Sequence, residues 1–114
     1  MFSEAVKGEH LTIPQVVHYL CTNPAKIAGL YPKKGTIQIG SDADLVLIDP
    51  KKEWTITTAK MHGNADYTCY EGTKVTGAIE KVFLRGQEIV TDGNFVGTRG
   101  EGQYLKRGKS SLAE

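Results

Sequence analysis

The sequence predicts an α+β fold, in which a short N-terminal helix pair is followed by a β-rich part of a sandwich. Two observations predict this fold. Apolar residues first recur at helical spacing, and from Gly35 onward the period of the pattern changes to two. The second part also contains apolar runs that two short helices are too small to bury. Such runs are typical of a sheet that belongs to a larger β-layer.

Three parts follow from these patterns. Residues 1–30 form a lead-in and the helices, residues 31–96 form the β-sandwich portion, and residues 97–114 form a basic, glycine-rich tail. The tail holds too few apolar residues to bury, so we expect an arm or a disordered segment there.

The first helix is predicted from about Ile13 to Thr22. Thr12 and Gln15 match the Thr-x-x-Gln capping box, and Pro14 lies in the first turn, where its missing N–H costs little. The apolar residues of this helix are spaced as one face: Ile13, Val16, Val17, Leu20 and Cys21.

A second, shorter helix is predicted directly after the first. Asn23 is a suitable N-cap and Pro24 a suitable first residue, so this pair restarts the chain. Gly29 suits the position just after the last turn, and Pro32 prevents the helix from continuing.

Between four and six strands are predicted in the second part. The segments with strand-like spacing are Thr36–Ile39, Leu45–Ile48, Trp54–Thr57, Val75–Leu84, Glu88–Thr91 and Phe95–Val96. The turns between them are predicted at Gly40–Asp42, Asp49–Pro50, Arg85–Gly86 and Asp92–Gly93. Gly77 indicates a bulge or bend, and residues 58–73 are predicted to be a loop with one helical turn.

Composition excludes several functional classes. The net charge of +1 produces no strong field towards nucleic acid or an anionic membrane, so neither is expected as a partner. No apolar run approaches the ~20 residues of a membrane span, and no signal-peptide pattern is present, so we expect a cytoplasmic protein. Cys21 and Cys69 do not make a disulfide framework and are expected to be free, buried thiols.

Candidate metal ligands are sparse. His10, His18 and His62 form no HxH or HExxH pattern, and His18 with Cys21 one turn later lacks a third ligand nearby. Asp42 and Asp44 could suggest a calcium loop, but its glycine and distal glutamate are missing. We therefore interpret these two carboxylates as turn-forming residues on the same side of an incoming strand.

Other catalytic or binding motifs are equally weak. No Ser or Cys stands in a GxSxG-type elbow, and there is no GxGxxG or P-loop. Gly97–Gly102 is glycine-rich, but no helical pattern follows it, so a phosphate cradle is disfavoured. The basic tail with Tyr104 also contains Glu101 and Glu114, which favours a solvated arm or a subunit contact over nucleic-acid binding.

The chain resembles the amidohydrolase superfamily, in the branch of dihydropyrimidinases and D-hydantoinases. The superfamily resemblance rests on Asn23–Pro32, Lys34–Ile37 and Gly40–Val46, which reads GSDADLV. The narrower resemblance rests on Asn64–Tyr67, Tyr70–Gly72, Gly77, Phe83–Val90 and Gly102–Arg107. Allantoinases and dihydroorotases share the first set but resemble the second less well.

The resemblance implies a metal-dependent hydrolase whose chemistry lies elsewhere. In such enzymes a (β/α)8 barrel binds two metal ions, usually zinc, through histidines, an aspartate and a carboxylated lysine, and a bridging hydroxide opens the ring amide. Those ligands would precede Met1 and have no counterpart here, so we assign no catalytic, cofactor-binding or metal residue to this chain.

The resemblance also implies a place for each part of the chain. Ile13–Gly29 matches the last barrel-side helices, Thr36–Val96 matches the C-terminal strands of a small sandwich, and the tail matches an arm that contacts a neighbouring subunit. The implied partners are the upstream barrel, the N-terminal sandwich strands and further copies of the chain.

Three functions remain open at this point. The first is the C-terminal segment of a hydantoinase- or dihydropyrimidinase-type enzyme, catalytically silent alone. The second is a segment of a non-catalytic dihydropyrimidinase-related binding protein. The third is a stand-alone β-rich interaction module.

Overall fold

The computed structural model of the chain describes residues 1–111; Leu112, Ala113 and Glu114, the end of the predicted tail, lie outside the described residues. A π-helical turn, Ser3–Lys7, precedes helix α1, Ile13–Val17, which continues through a π-helical turn, His18–Thr22, into helix α2, Asn23–Ile27. The strands are β1, Leu45–Thr55, β2, Lys74–Leu84, β3, Gln87–Thr91, and β4, Asn94–Phe95. They form one antiparallel sheet in the order β1-β2-β3-β4, which confirms the α+β class.

The start of α1 is the predicted capping box. The Thr12 Oγ1 atom accepts a hydrogen bond from the Gln15 N–H at 3.4 Å, and the Gln15 Oε1 atom accepts one from the Thr12 N–H at 2.8 Å. Two otherwise unpaired donors of the first turn are satisfied by this exchange.

The predicted break at Asn23 is wrong. Asn23 has helical backbone angles, φ −63° and ψ −46°, and no side chain caps α2. Pro24 has no N–H to donate, and its ring crowds the carbonyl four residues earlier. The wider π-helical turn before Pro24 accommodates both effects, so the helix continues without a new N-cap.

Gly29 ends the helix as predicted. Its φ of +68° is the left-handed conformation that glycine adopts without strain. The Gly29 N–H donates to the Lys26 carbonyl at 3.1 Å, and the Leu30 N–H donates to the Ala25 carbonyl at 2.8 Å. This pair of hydrogen bonds is a Schellman motif, which satisfies carbonyls that the helix itself leaves unpaired.

The predicted strand at Thr36–Ile39 is also wrong. The segment consists of bends and turns, and among the described residues no strand lies beside it to pair with its backbone. Ile37 and Ile39 keep 86% and 104% of their surface exposed. Alternating apolar residues form a strand only where a neighbouring strand takes their hydrogen bonds, and this segment has no such neighbour.

Strand β1 continues through Asp49 and Pro50, where the sequence predicted a stop and a separate strand at Trp54–Thr57. The Asp49 Oδ1 atom accepts hydrogen bonds from the N–H groups of Lys51 and Lys52, so the three residues after Asp49 bulge out of the ladder. Pairing then resumes at Glu53 opposite Thr76. A bulge tolerates proline because its residues have no ladder hydrogen bond to lose.

The two predicted hairpin turns are confirmed. Arg85 and Gly86 connect β2 to β3 with φ values of +49° and +82°, and Asp92 and Gly93 connect β3 to β4 with +47° and +78°. Positive φ at both central residues defines the turn whose twist matches an antiparallel ribbon.

Little of the chain is buried. Among the described residues, only Val16 and Ala25 are buried apolar side chains, each 7% exposed. The accessible surface is 8886 Å², whereas a folded monomer of 12.4 kDa is expected to expose about 6,100 Å². The radius of gyration is 15.9 Å, against about 13 Å for a compact chain of this length.

Within residues 1–111, no helix combines the length and the apolar character needed to cross a bilayer.

Candidate functional site

The densest group of charges is a cluster of Lys33, Lys34, Asp42 and Asp44, called here the ion cluster. The Lys33 ammonium lies 2.6 Å from one oxygen of Asp42, and the Lys34 ammonium lies 2.7 Å from the other. Lys34 also forms an ion pair with Asp44. The Asp42 N–H also donates to the Lys33 carbonyl at 2.9 Å. Together with the ion pairs, this hydrogen bond joins the two ends of the loop that precedes β1.

Asp44 extends the ion cluster to the sheet. Its Oδ1 atom accepts a hydrogen bond from the backbone N–H of Arg85 at 2.9 Å, at the turn between β2 and β3. The Gly86 N–H, in the same turn, donates to the Ala43 carbonyl at 2.9 Å. The loop before β1 and the β2–β3 turn are therefore held together by side-chain and backbone contacts.

The electrostatics of the ion cluster follow from this geometry. Hydrogen bonds from Lys33 and then Lys34 lower the pKa of Asp42. Partial burial alone would raise the pKa of Asp44, but the hydrogen bonds from Lys34 and the Arg85 N–H outweigh burial and lower it. Burial would likewise lower the pKa of Lys34, yet its hydrogen bonds to Asp42 and Asp44 raise it. All three groups are held in their charged forms.

The two aspartates both bind Lys34, but the turn itself lies at Ile39 and Gly40, and their carboxylates bind lysines and the Arg85 N–H and not the backbone of the turn. All four of their carboxylate oxygens already accept from Lys33, Lys34 or the Arg85 N–H. The calcium interpretation therefore has no support, since the positive charge at this position comes from lysine.

The other metal candidates do not come together. His18 and Cys21 both lie in the π-helical turn, and the ring of His18 contacts Tyr19 edge to face at a centroid distance of 6.1 Å. Among residues 1–111, no group of three or more His, Cys, Asp or Glu side chains, including His10 and His62, is arranged to hold a metal ion. Cys21 and Cys69 are free, as predicted, but both are exposed, which corrects the expectation of buried thiols. On the apolar face that carries Cys21, Ile13, Val17 and Leu20 are exposed as well, whereas Val16 is buried.

The glycine-rich segment Gly97–Gly102 begins the tail and is followed by irregular structure in the described part. The Arg85 guanidinium donates to the Glu101 carbonyl at 2.6 Å, which attaches the tail to the β2–β3 turn. Tyr104, in the tail for which a solvated arm or a subunit contact was predicted, has 91% of its surface exposed.

Sequence reasoning missed Lys33, Lys34 and Arg85 as parts of one site. The signal available was weak: two adjacent lysines before a turn and an arginine in a hairpin, about 50 positions later. Only the return of β2 beside β1 brings Arg85 to Asp44.

Comparison with known proteins relates most of the chain to one family. The sequence model of the Amidohydrolase family matches residues 2–89. A D-hydantoinase of Geobacillus stearothermophilus is 49% identical over 109 residues, which are 96% of this chain and 23% of that protein. The chain thus spans about a quarter of the length of this relative.

Solved structures agree with the sequence comparison. A dihydropyrimidinase from Brevibacillus agri is 42% identical, with a TM-score of 0.89 over 96% of this chain and 23% of that one. An L-hydantoinase (dihydropyrimidinase) from Arthrobacter aurescens is 33% identical, with a TM-score of 0.89 over 94% of this chain and 24% of that one. Since the family model covers well over half of the sequence, the chain belongs to the amidohydrolase family.

Proposed function

We propose that the chain is the C-terminal segment of a cyclic-amide hydrolase of the hydantoinase and dihydropyrimidinase type. Its role is structural: it supplies part of a β-sandwich and the helices that join this sandwich to the catalytic domain. Alone it is catalytically silent. The observation that carries the proposal is the match of 96% of the chain to 23% of a D-hydantoinase at 49% identity.

The exposed apolar surface supports this role. Residues on both the helices and the sheet are uncovered, among them Val17, Leu20, Ile27, Ile37, Ile39, Val46, Leu47, Ile48 and Phe95. A monomer seldom leaves so much apolar surface in water, and such surface marks a site of interaction. The proposed partners are the barrel and the N-terminal sandwich strands of the same enzyme, and, without them, further copies of the chain.

The domain assignment follows from the same proposal. Residues 1–30 belong to the end of the barrel domain, residues 31–96 to the sandwich, and residues 97–114 to a tail. The two free, exposed cysteines suit a reducing compartment, which supports the cytoplasm.

The metal centre is proposed to lie on another part of the enzyme. Amidohydrolases are generally metal-dependent, whereas the side chains of residues 1–111 provide no cluster of ligands that fits a metal ion. A binuclear zinc centre in the barrel is therefore part of the proposal for the complete enzyme, and no step of the reaction is assigned to residues of this chain.

The proposed substrates are hydantoins and dihydropyrimidines, whose ring amide is hydrolysed. D-hydantoinases, an L-hydantoinase and dihydropyrimidinases resemble the chain over nearly the same residues. A segment shared by enzymes of opposite stereochemical preference supports a general structural role over a role in choosing the substrate.

The first test asks whether the isolated chain catalyses ring opening. The purified chain is incubated with zinc and assayed on hydantoin and dihydrouracil, and its bound metal is measured. We expect no ring opening and no stoichiometric zinc. Turnover, or one tightly bound zinc ion per chain, would contradict the proposal.

The second test asks whether the chain completes an enzyme. The chain is co-produced with a Geobacillus stearothermophilus D-hydantoinase from which the matching 109 residues have been removed. We expect ring-opening activity and co-purification only when both pieces are present. A truncated enzyme that is equally active with and without the chain would overturn the structural role.

A further inference from the structure

The helix and the sheet of this chain do not pack on one another. Within the described residues, α1 and α2 contact the two π-helical turns but no strand. One bridge between the two parts is the N-terminal turn Ser3–Lys7, which contacts both α1 and β2. The loop after α2 is a second bridge, because the Thr22 hydroxyl donates to the Gly35 carbonyl at 2.8 Å and Asp44 accepts from the Arg85 N–H at 2.9 Å. The tail provides a third connection.

The tail is attached to the sheet at its beginning. The Arg85 guanidinium binds the Glu101 carbonyl at 2.6 Å, and Arg85 belongs to the β2–β3 turn. Further along, the half-buried Leu105 lines a cleft together with Leu84 at the end of β2 and the two lysines of the ion cluster.

The same tail is attached to the helix at its far end. The Gly108 N–H donates to the Gly29 carbonyl at 2.8 Å, and the Ser111 N–H donates to the Lys26 carbonyl at 3.2 Å. The Lys26 carbonyl also accepts from the Gly29 N–H, so the tail adds a second hydrogen bond there, and the Gly29 carbonyl lies just beyond the end of α2. A Cβ atom on Gly29 would overlap the Gly108 carbonyl oxygen, which shows how closely the two backbones approach.

Charge supports this placement of the tail. Lys106, Arg107 and Lys109 flank Gly108, beside the helix end where the helix dipole is negative. Positive charge near such a helix end is favourable, so these three basic residues are compatible with the position of the tail.

We propose that residues 101–111 are an intrachain strap, which joins the β2–β3 turn to the C-terminal end of α2 and fixes the orientation of the helix relative to the sheet. The strap exists in this chain whatever the activity of the enzyme. Its wider meaning, that it couples barrel to sandwich, rests on the proposed function.

Two exposed cysteines make the orientation measurable. Cys21 lies in the π-helical turn of the helix, and Cys69 lies in the loop before β2, which Glu71 clamps through hydrogen bonds to the Thr58 N–H and hydroxyl at 2.7 and 2.6 Å. Nitroxide labels on both cysteines of the full chain report the helix-to-sheet distance by pulsed electron resonance.

A matched pair of variants at Gly108 tests the strap. Gly108→Pro removes the N–H that binds the Gly29 carbonyl, whereas Gly108→Ala keeps it and places its Cβ 3.4 Å from that oxygen, an ordinary contact. We expect one narrow distance distribution in the unchanged chain and in Gly108→Ala, and a broad one in Gly108→Pro. Equal widths in all three would overturn the proposal.

Limited trypsin digestion provides a second measurement. Cleavage after Lys106 is expected to be about fivefold faster in Gly108→Pro than in Gly108→Ala, the change that one lost hydrogen bond produces. Cleavage after Lys60, in the loop between β1 and β2, is expected to be unchanged. A parallel increase at Lys60 would mean general unfolding and would contradict a specific strap.

Dilution distinguishes a strap from an arm that reaches another copy. An intrachain strap protects Lys106 equally at every protein concentration. Protection that disappears on dilution would assign the tail to a neighbouring subunit and overturn the intrachain proposal. Neither outcome depends on catalysis, so the proposed function is tested separately.

Discussion

At the scale of single residues, Asp44 joins two segments that are far apart in the sequence, and no sequence motif predicts this connection. It binds Lys34 in its own loop and the Arg85 N–H in the β2–β3 turn, 41 positions later. Asp42, by contrast, binds only within the loop, through Lys33 and Lys34. The two aspartates look alike in the sequence but have different structural consequences.

We predict that Asp44→Asn destabilises the chain by about 1 kcal/mol, because it weakens a charge-assisted hydrogen bond and an ion pair at once. Asp66→Asn, at an exposed position in the loop before β2, is the control and is expected to change little. Urea unfolding followed by circular dichroism measures both. Equal losses in the two variants would show that Asp44 does not join loop to sheet.

The stability difference between the unchanged chain and Asp44→Asn depends on pH with a definite sign. The folded pKa of Asp44 lies below its ordinary value of 3.8, so its contribution is present above pH 3.8 and is lost as the pH falls through the folded pKa. The stability gap between the unchanged chain and Asp44→Asn should therefore be constant near neutral pH and close below about pH 4. A gap that widens in acid would contradict the assigned ion pairs.

At the scale of elements, the pairing of β1 with β2 depends on Gly77. Its φ is +104°, it lies opposite the bulge of β1, and its carbonyl accepts a hydrogen bond from the Trp54 Nε1–H at 3.1 Å. The Phe2 ring covers it from the N-terminal turn, where the Ser3 hydroxyl accepts from the Thr76 N–H at 2.9 Å. A side chain at position 77 would disturb both contacts.

Gly77→Ala is expected to cost at least about 2 kcal/mol, from the left-handed backbone and from displacement of Phe2, whose ring atom would lie 2.6 Å from the new Cβ. Gly72→Ala is the matched control: its φ is +78°, but nothing lies within 4 Å, so it carries the backbone cost alone. Thermal unfolding of the two variants gives the comparison. If both variants lowered the melting temperature equally, displacement of the Phe2 ring would add nothing to the cost of Gly77→Ala.

At the scale of the whole molecule, the chain has elements but almost no core. Two buried apolar side chains within residues 1–111 and a surface of 8886 Å² do not resemble a self-sufficient domain. Ile37 and Ile39 are the extreme case, since both are almost fully exposed. This surface is the physical reason to expect a partner.

We predict that the isolated chain self-associates and that Ile39→Asp weakens this association at least about tenfold, since it replaces a buried apolar contact by a charge. Gln38→Asp adds the same charge at the exposed neighbouring position and serves as the control. Sedimentation across a range of concentrations measures both. An equal effect of the two substitutions would mean that net charge, and not apolar contact, governs the association.

The sequence by itself determined the features that depend on residues a few positions apart. The capping box of Thr12 and Gln15, the end of the helix at Gly29 and the two hairpin turns all follow from local hydrogen bonding and backbone preference. The family resemblance, carried by continuous motifs, was equally accessible and is confirmed.

Only the tertiary structure decided the features that depend on distant segments. Thr36–Ile39 alternates like a strand but has no neighbour to bind, and β1 passes Pro50 because β2 accepts a bulge opposite Gly77. The tail looked disordered in composition, yet it attaches to Arg85 and to Gly29 through backbone groups that no residue pattern encodes. A strand or an arm is stabilised by what lies beside it, and that neighbour is set by the fold and not by the local sequence.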